Sequence, residues 1–279
     1  MQGARNPGLD SSGGPLTSPC LIVAAHPDDE TLGASAVMMR TRPCFVVHVT
    51  DGAPRDAALR SCPDKSRDAY ARARSQELLD ALAIAGVAPD HVRWLGATDQ
   101  EACFVLGELT RRLLGVLELL RPACAIVHAY EGGHPDHDAA AFIAHAAVRL
   151  LRKRGGAVPV LYEMASYHAA EGRLVAGEFI GNAGAPEIAL ALTRSELECK
   201  RRMLACFGSQ TQALSELARP LDVERYRVAV RPDFSQPAHT GRLHYEALGW
   251  PLSAEHFCLL AVAAQRGLAR GGLGWDLAS

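Results

Sequence analysis

From Cys20 to about residue 167, short apolar runs alternate with longer stretches whose apolar residues recur at helical spacing. That alternation constrains the fold more than any other feature of the chain, because parallel strands need a crossover of a dozen or more residues and a helix supplies it. The strand-like runs are CLIVAA (20–25), CFVVHVTDG (44–52), VRWLG (92–96), ACAIVHAY (123–130) and VPVLYEMASY (158–167). Between them, KSRDAYARARSQELLDALAIAG ends at Gly86, and FVLGELTRRLLGVLELLR ends before Pro122. DHDAAAFIAHAAVRLLRKRG carries basic residues in its last turn, as the helix dipole favours. The expectation is an α/β fold, a mostly parallel sheet with helices on both faces.

Beyond residue 170 the alternation weakens. TRSELECKRRMLACFGSQTQAL is the one clear helix in a segment otherwise mixed in Pro, Gly and aromatic residues. The expected organisation is a flexible tail over 1–19, a core over 20–169, and a C-terminal cap or extension over 170–279 that completes the fold and the substrate pocket. A chain of 279 residues is ample for a well-buried core.

Composition narrows the function classes. With 29 Lys and Arg against 31 Asp and Glu, the formal charge is -2, so no basic field attracts nucleic acid or an anionic membrane. The eight cysteines form no CxxC pair and several lie in apolar runs, which reads as reduced core thiols in the cytoplasm. The start, MQGARNPGLDSSGGPLTSP, lacks the apolar segment of a signal peptide, and no apolar run is long enough to span a bilayer. A cytoplasmic protein without stable membrane insertion is expected; its oligomeric state is not readable.

The stretch AAHPDDETLG (24–33) places three carboxylates and an imidazole where a hydrophobic strand ends. It has an echo in GGHPDHD (132–138), again after an apolar run. If each chain turns into a helix at its proline, His26 shares a face with Asp29, and His134 with His137. In the common 3-2-1-4-5 strand order the first and fourth strands are neighbours, and their loops meet at a crevice. His26, Asp29 and His137 then have the composition of a three-ligand catalytic metal site with one position left for water. Mixed nitrogen and carboxylate ligands suit Zn²⁺, one per chain, with Fe²⁺ or another divalent transition metal also compatible. Asp28, pointing elsewhere, is placed as the general base, and His134 as the group that stabilises the oxyanion or protonates the leaving amine. Glu30 and Asp136 are expected to orient ligand imidazoles.

AHPDDE (25–30) and GGHPDHDA (132–139) resemble the two signatures of the zinc-dependent N-deacetylases that include N-acetylglucosaminyl-phosphatidylinositol deacetylases and the LmbE-like proteins. VTDG (49–52), RSQELLDALAIAGV (74–87) and KRRMLACFGSQTQ are also similar to that family. The resemblance implies a Rossmann-like α/β fold with His26, Asp29 and His137 on zinc, Asp28 as base and His134 as the electrostatic or acid group. It also implies that Asp51 and Arg74 line the substrate side. In some members a tyrosine shortly before the second signature polarises the amide; Glu131, Gly132 and Gly133 precede His134 here, and Tyr130 is the nearest candidate. The activity implied is hydrolysis of an N-acyl amide, acetyl above all, on an amino sugar or glycosylated metabolite. A larger thiol-sugar or other N-acyl conjugate is the alternative.

Other readings compete. A dinucleotide-dependent dehydrogenase needs a glycine-rich first loop, and this loop is HPDDE. Two histidines and a carboxylate also form the facial triad of non-haem iron oxygenases, usually on β-rich scaffolds. A catalytically silent metal-binding or sugar-binding protein has no need of Asp28. His48, His128, His145 and His168 read as packing groups or supports for a ligand, and His239, His244 and His256 as surface residues. Trp94, Trp250 and Trp275 read as packing residues.

Overall fold

The computed structural model describes residues 18–61, 66–181, 184–217 and 221–270. The expected tail therefore lies outside the described residues up to residue 17, as does Trp275. Pro19 already belongs to the sheet's edge, its carbonyl accepting from the Ala123 N–H at 2.8 Å.

Five strands form in the expected places: β1 (Cys20–Ala24), β2 (Cys44–Thr50), β3 (Val92–Ala97), β4 (Cys124–His128) and β5 (Val160–Met164). They pair in parallel in the order β3-β2-β1-β4-β5, with Cys20 opposite both Cys44 and Cys124. The crossovers are α1 (Asp29–Arg40), α2 (Arg67–Ile84), α3 (Leu106–Leu120) and α4 (Pro135–Lys153). Side-chain alternation along β1 divides the core: Leu21 and Val23 pack with α3 and α4, Cys20 and Ile22 with α1 and α2. Both faces are thus dry, which is why these strands read as unbroken apolar runs.

The C-terminal part is more regular than the sequence suggests. After the hairpin β6 (Tyr167–Ala170) and β7 (Arg173–Ala176), strands β8 (Glu187–Ala191) and β9 (Val223–Val228) extend the sheet in the order β5-β9-β8, both antiparallel. VPVLYEMASY is therefore not one strand; it divides between β5 and β6. The expected long helix also divides, into α5 (Arg194–Ala205), a short turn at Gly208–Gln210 and α6 (Thr211–Leu217). Ser209 causes the break, its N–H and hydroxyl both donating to Glu77 on α2 at 2.8 and 2.6 Å. Then follow α7 (His244–Ala247) and a helix the sequence analysis missed, α8 (Ala254–Arg270), which buries Phe257 and Ala261 against the α3 and α4 side.

Helix α1, which leaves the first motif, is interrupted at Ala34, where the backbone is non-helical (φ -144°). The backbone groups freed there need partners. Glu224 on β9 accepts from the N–H and hydroxyl of Ser35 at 2.9 and 2.6 Å and from the Ala36 N–H at 3.1 Å. Lys200 on α5 donates to the Leu32 carbonyl at 2.7 Å and to Glu224 at 2.8 Å, and the Tyr226 hydroxyl lies 2.8 Å from the Gly33 carbonyl. Lys200 and Glu224 are both buried, so removing one partner strands the other charge. Lys200→Met is expected to lower unfolding stability by on the order of 3–5 kcal/mol. In denaturant melts, the double variant with Glu224→Gln should lose less than the sum of the single changes; strict additivity would contradict a shared network.

Candidate functional site

Strand β1 lies between β2 and β4, so the connections from β1 and β4 leave in opposite directions and open a crevice at their carboxyl ends. Both motif loops enter it. One ligand atom from each of His26, Asp29 and His137 lies within 4.8 Å of the others. His26 Nδ1 is 3.2 Å from Asp29 Oδ2, and His137 Nε2 is 3.2 Å from Asp29 Oδ1. Yet both ring nitrogens of His137 are buried without a hydrogen-bond partner. An orphaned imidazole nitrogen beside a carboxylate, with a second imidazole converging, fits a divalent transition metal.

The other nitrogen of His26 faces two further carboxylates, Nε2 lying 3.2 Å from both Asp99 and Asp136. Asp136 is fully buried and also accepts from the N–H groups of Gln100 at 2.6 Å and Ala102 at 3.2 Å. It therefore ties the loop after β3 to the first motif. Glu30 does not reach a ligand imidazole: it meets His48 Nε2 at 3.0 Å and accepts from the Asp28 N–H at 3.1 Å, bracing the loop backbone.

Asp28 adopts φ +121°, a conformation costly for a residue with a side chain. Arg74 on α2 holds it there, one guanidinium nitrogen reaching Asp28 Oδ2 at 3.1 Å and the Pro27 carbonyl at 2.5 Å. Burial pushes the Asp28 carboxyl up to about 8, against the pull of Arg74. Asp29 is also buried, but its neighbours, His137 foremost, hold its carboxyl well below the usual carboxylate range, and it accepts from the His26 backbone N–H at 2.8 Å.

His134 caps α4: its Nδ1 accepts from the Asp136 N–H at 3.1 Å. A ring nitrogen that accepts carries no proton, so the neutral imidazole keeps its hydrogen on Nε2. Burial, then the neighbouring His26 and His137, push its pKa well below the usual histidine value. His134 is thus a neutral hydrogen-bond donor, which suits oxyanion stabilisation better than proton delivery.

The remaining expected residues separate. Asp51 is ion-paired with Arg67 and accepts from the Ala53 N–H at 3.1 Å, as a turn former does. Tyr130 is not brought to the crevice. Its hydroxyl donates to the Gln236 carbonyl at 2.9 Å and its ring packs on Phe234 and Phe257. Tyr167 stands in the crevice instead, its ring edge-on to His137 at 5.0 Å. Burial and then the carboxylates of Asp29, Asp28, Asp99 and Asp136 raise its phenol well above its ordinary value. A Cβ on Gly133 would come within 1.9 Å of the Tyr167 carbonyl, so the glycine before the second motif is what lets β6 approach. Trp250 meets the His134 ring edge-on at 4.8 Å. Asp99, Tyr167 and Trp250 were missed by sequence reasoning because each reaches the motifs only through tertiary contacts; the paired glycines before His134 were the one local hint.

Burial also pushes Asp138 up to about 8 and Glu131 up to about 7. With Asp28, these carboxyls keep protons in the folded state that the unfolded chain has already lost, so stability falls as pH rises through those values. The thermal midpoint of metal-free protein is expected to fall from about pH 6 to about pH 8 and to level off above that, and Asp138→Asn, which cannot ionise, to flatten part of that slope. A midpoint that rises across the interval would contradict the assignment.

Residues 21–148 match the model of a known family, PIG-L, described as GlcNAc-PI de-N-acetylase. No curated protein matches the chain in sequence. Among solved structures, a deacetylase triple mutant of the teicoplanin biosynthetic pathway is 17% identical with a TM-score of 0.55, covering 77% of this chain and 98% of its own. An antimicrobial-reagent pseudoaglycone deacetylase is 16% identical with a TM-score of 0.54, covering 76% and 98%. The 4-carboxy-2-hydroxymuconate hydratase of Pseudomonas putida is 18% identical with a TM-score of 0.52, covering 76% and 96%. These likenesses are of fold. The segment that matches the PIG-L family model, residues 21–148, carries both motif loops and strands β1 to β4.

Proposed function

We propose that this protein is a Zn²⁺-dependent hydrolase that removes an acyl group, acetyl in the first instance, from the amine of an amino sugar or glycosylated metabolite. The observation that carries the reading is the convergence of His26, Asp29 and His137 beside a spare, Arg74-held carboxylate at Asp28. A neighbouring fold belongs to a hydratase, so the fold alone does not choose between chemistries. The family match and the deacetylases among the solved neighbours favour amide hydrolysis.

Zn²⁺ held by these three residues would acidify water and polarise the amide carbonyl. Asp28, kept ionised by Arg74 and the adjoining cation, takes the water's proton and holds it for the leaving nitrogen. The water oxygen bonds to the acyl carbon, and His134 donates its Nε2 hydrogen to the carbonyl oxygen as negative charge gathers there. The Tyr167 ring packs edge-on against His137 and bounds the same space. Asp28 returns its proton to the nitrogen, the C–N bond breaks, and acetate and a free amine leave. Asp51 and Arg74 then act behind the site, fixing the loop and the base rather than the sugar. Among the described residues no helix is long and apolar enough to cross a membrane, which favours a substrate presented in water.

Purified protein is expected to hold about one zinc per chain and to release acetate from N-acetylated amino sugars, with chelation abolishing release and zinc restoring it. Asp28→Ala should keep the metal and lose turnover by about 10²–10⁴-fold. His26→Ala should lose both. Zinc without acetate from any N-acyl sugar would refute the substrate class, and protein that takes up no metal would refute the mechanism.

A further inference from the structure

A metal-binding imidazole ordinarily donates its second ring N–H to a carboxylate, a carbonyl or water, and that bond fixes the ring plane. His137 has no such protein partner, because neither of its ring nitrogens is hydrogen-bonded. Its ring is held by other rings. His128, the last residue of β4, stacks beneath it with centroids 3.9 Å apart and planes inclined by only 17°. Tyr167 closes the edge at 5.0 Å and 63°.

His128 is itself fully buried and fixed at both ends. Its Nε2 accepts from the Ala25 N–H at 3.0 Å, and its Nδ1 lies 2.7 Å from the Ser166 hydroxyl. With Nε2 accepting, the ring hydrogen resides on Nδ1 and points to Ser166. One neutral tautomer is thereby selected, bolted to the last residue before the first motif and to the residue before Tyr167. Asp29 Oδ2 is 3.4 Å from His128 Nε2, but that nitrogen's lone pair is already engaged with Ala25, so no hydrogen bond joins them.

We infer that His128 is the positioning residue of the metal centre, its stacked ring setting the plane of His137 where other sites use a hydrogen bond. The inference rests on the assignment of His137 as a metal ligand made above. The stack also links the loops: His128 touches the backbone that carries His26 and the ring that completes the donor set. A change in the register of β1 against β4 is therefore felt by both imidazoles at once.

The test uses the full chain, stripped of metal and titrated with Zn²⁺ against a competing chelator. His128→Gln can place an acceptor where Nε2 lies, toward the Ala25 N–H, but presents no ring; Ser166→Ala removes the hydroxyl and leaves the ring. Zinc affinity is expected to fall by about 10–100-fold in His128→Gln, with the metal-free protein still folded, and by less than about 3-fold in Ser166→Ala. The Co²⁺-loaded His128→Gln protein should show displaced d–d bands, reporting a tilted His137. Wild-type affinity in folded His128→Gln, or an equal loss in Ser166→Ala, would overturn the inference. Should His128→Gln not fold, ¹⁵N NMR of zinc-loaded wild type decides. A His137 N–H without a protein acceptor and a neutral, Nδ1-protonated His128 are expected; a His137 N–H bonded to a protein carbonyl or carboxylate would overturn it. Wild-type protein that binds no zinc would instead remove the ligand assignment itself, a separable result.

Discussion

Four carboxylates, those of Asp28, Asp29, Asp99 and Asp136, converge at the carboxyl end of a dry parallel sheet, and much of the surrounding structure serves to make that tolerable. Isolated, each would be too costly to ionise there. Arg74 answers Asp28, two backbone amides and His26 answer Asp136, and the His26 backbone N–H and His137 answer Asp29. The compensation is incomplete without a cation. Asp99 Oδ1 and both nitrogens of His137 remain unsatisfied, and Asp28 holds its proton well above the ordinary range.

The sheet supplies what this cluster needs, two loops that meet and a rigid platform beneath them. Because β1 pairs with both β2 and β4, the loop with His26 and Asp29 and the loop with His134 and His137 rise side by side. The antiparallel additions contribute from the rear: Glu224 on β9 and Lys200 on α5 satisfy the break in α1, and so fix the helix that begins with Asp29. The hairpin β6–β7 closes the wall, its approach permitted by Gly133.

The core strands were legible because their residues are buried on both faces and leave unbroken apolar runs. The meeting of the two motif loops was legible because each motif is local and the strand order then brings them together. Tyr167 was not, since it belongs to a hairpin that pairs only with itself and is placed by a contact with Gly133, more than thirty residues earlier. Tyr130 misled for the converse reason: nearness in sequence to His134 did not survive the pull of Phe234 and Phe257 on its ring. Helix α8 carries a stripe at helical spacing, Ala254, Phe257, Cys258 and Ala261, that was readable but lay behind a stretch rich in Pro, Gly and aromatic residues.

The most direct test is crystallographic, with anomalous diffraction recorded on either side of the zinc absorption edge from protein supplied with one equivalent of Zn²⁺. The account predicts a single strong peak within coordination distance of His26, Asp29 and His137, with the Asp28 carboxylate outside that distance. A peak centred elsewhere, or none at a site shown to be intact, would contradict it.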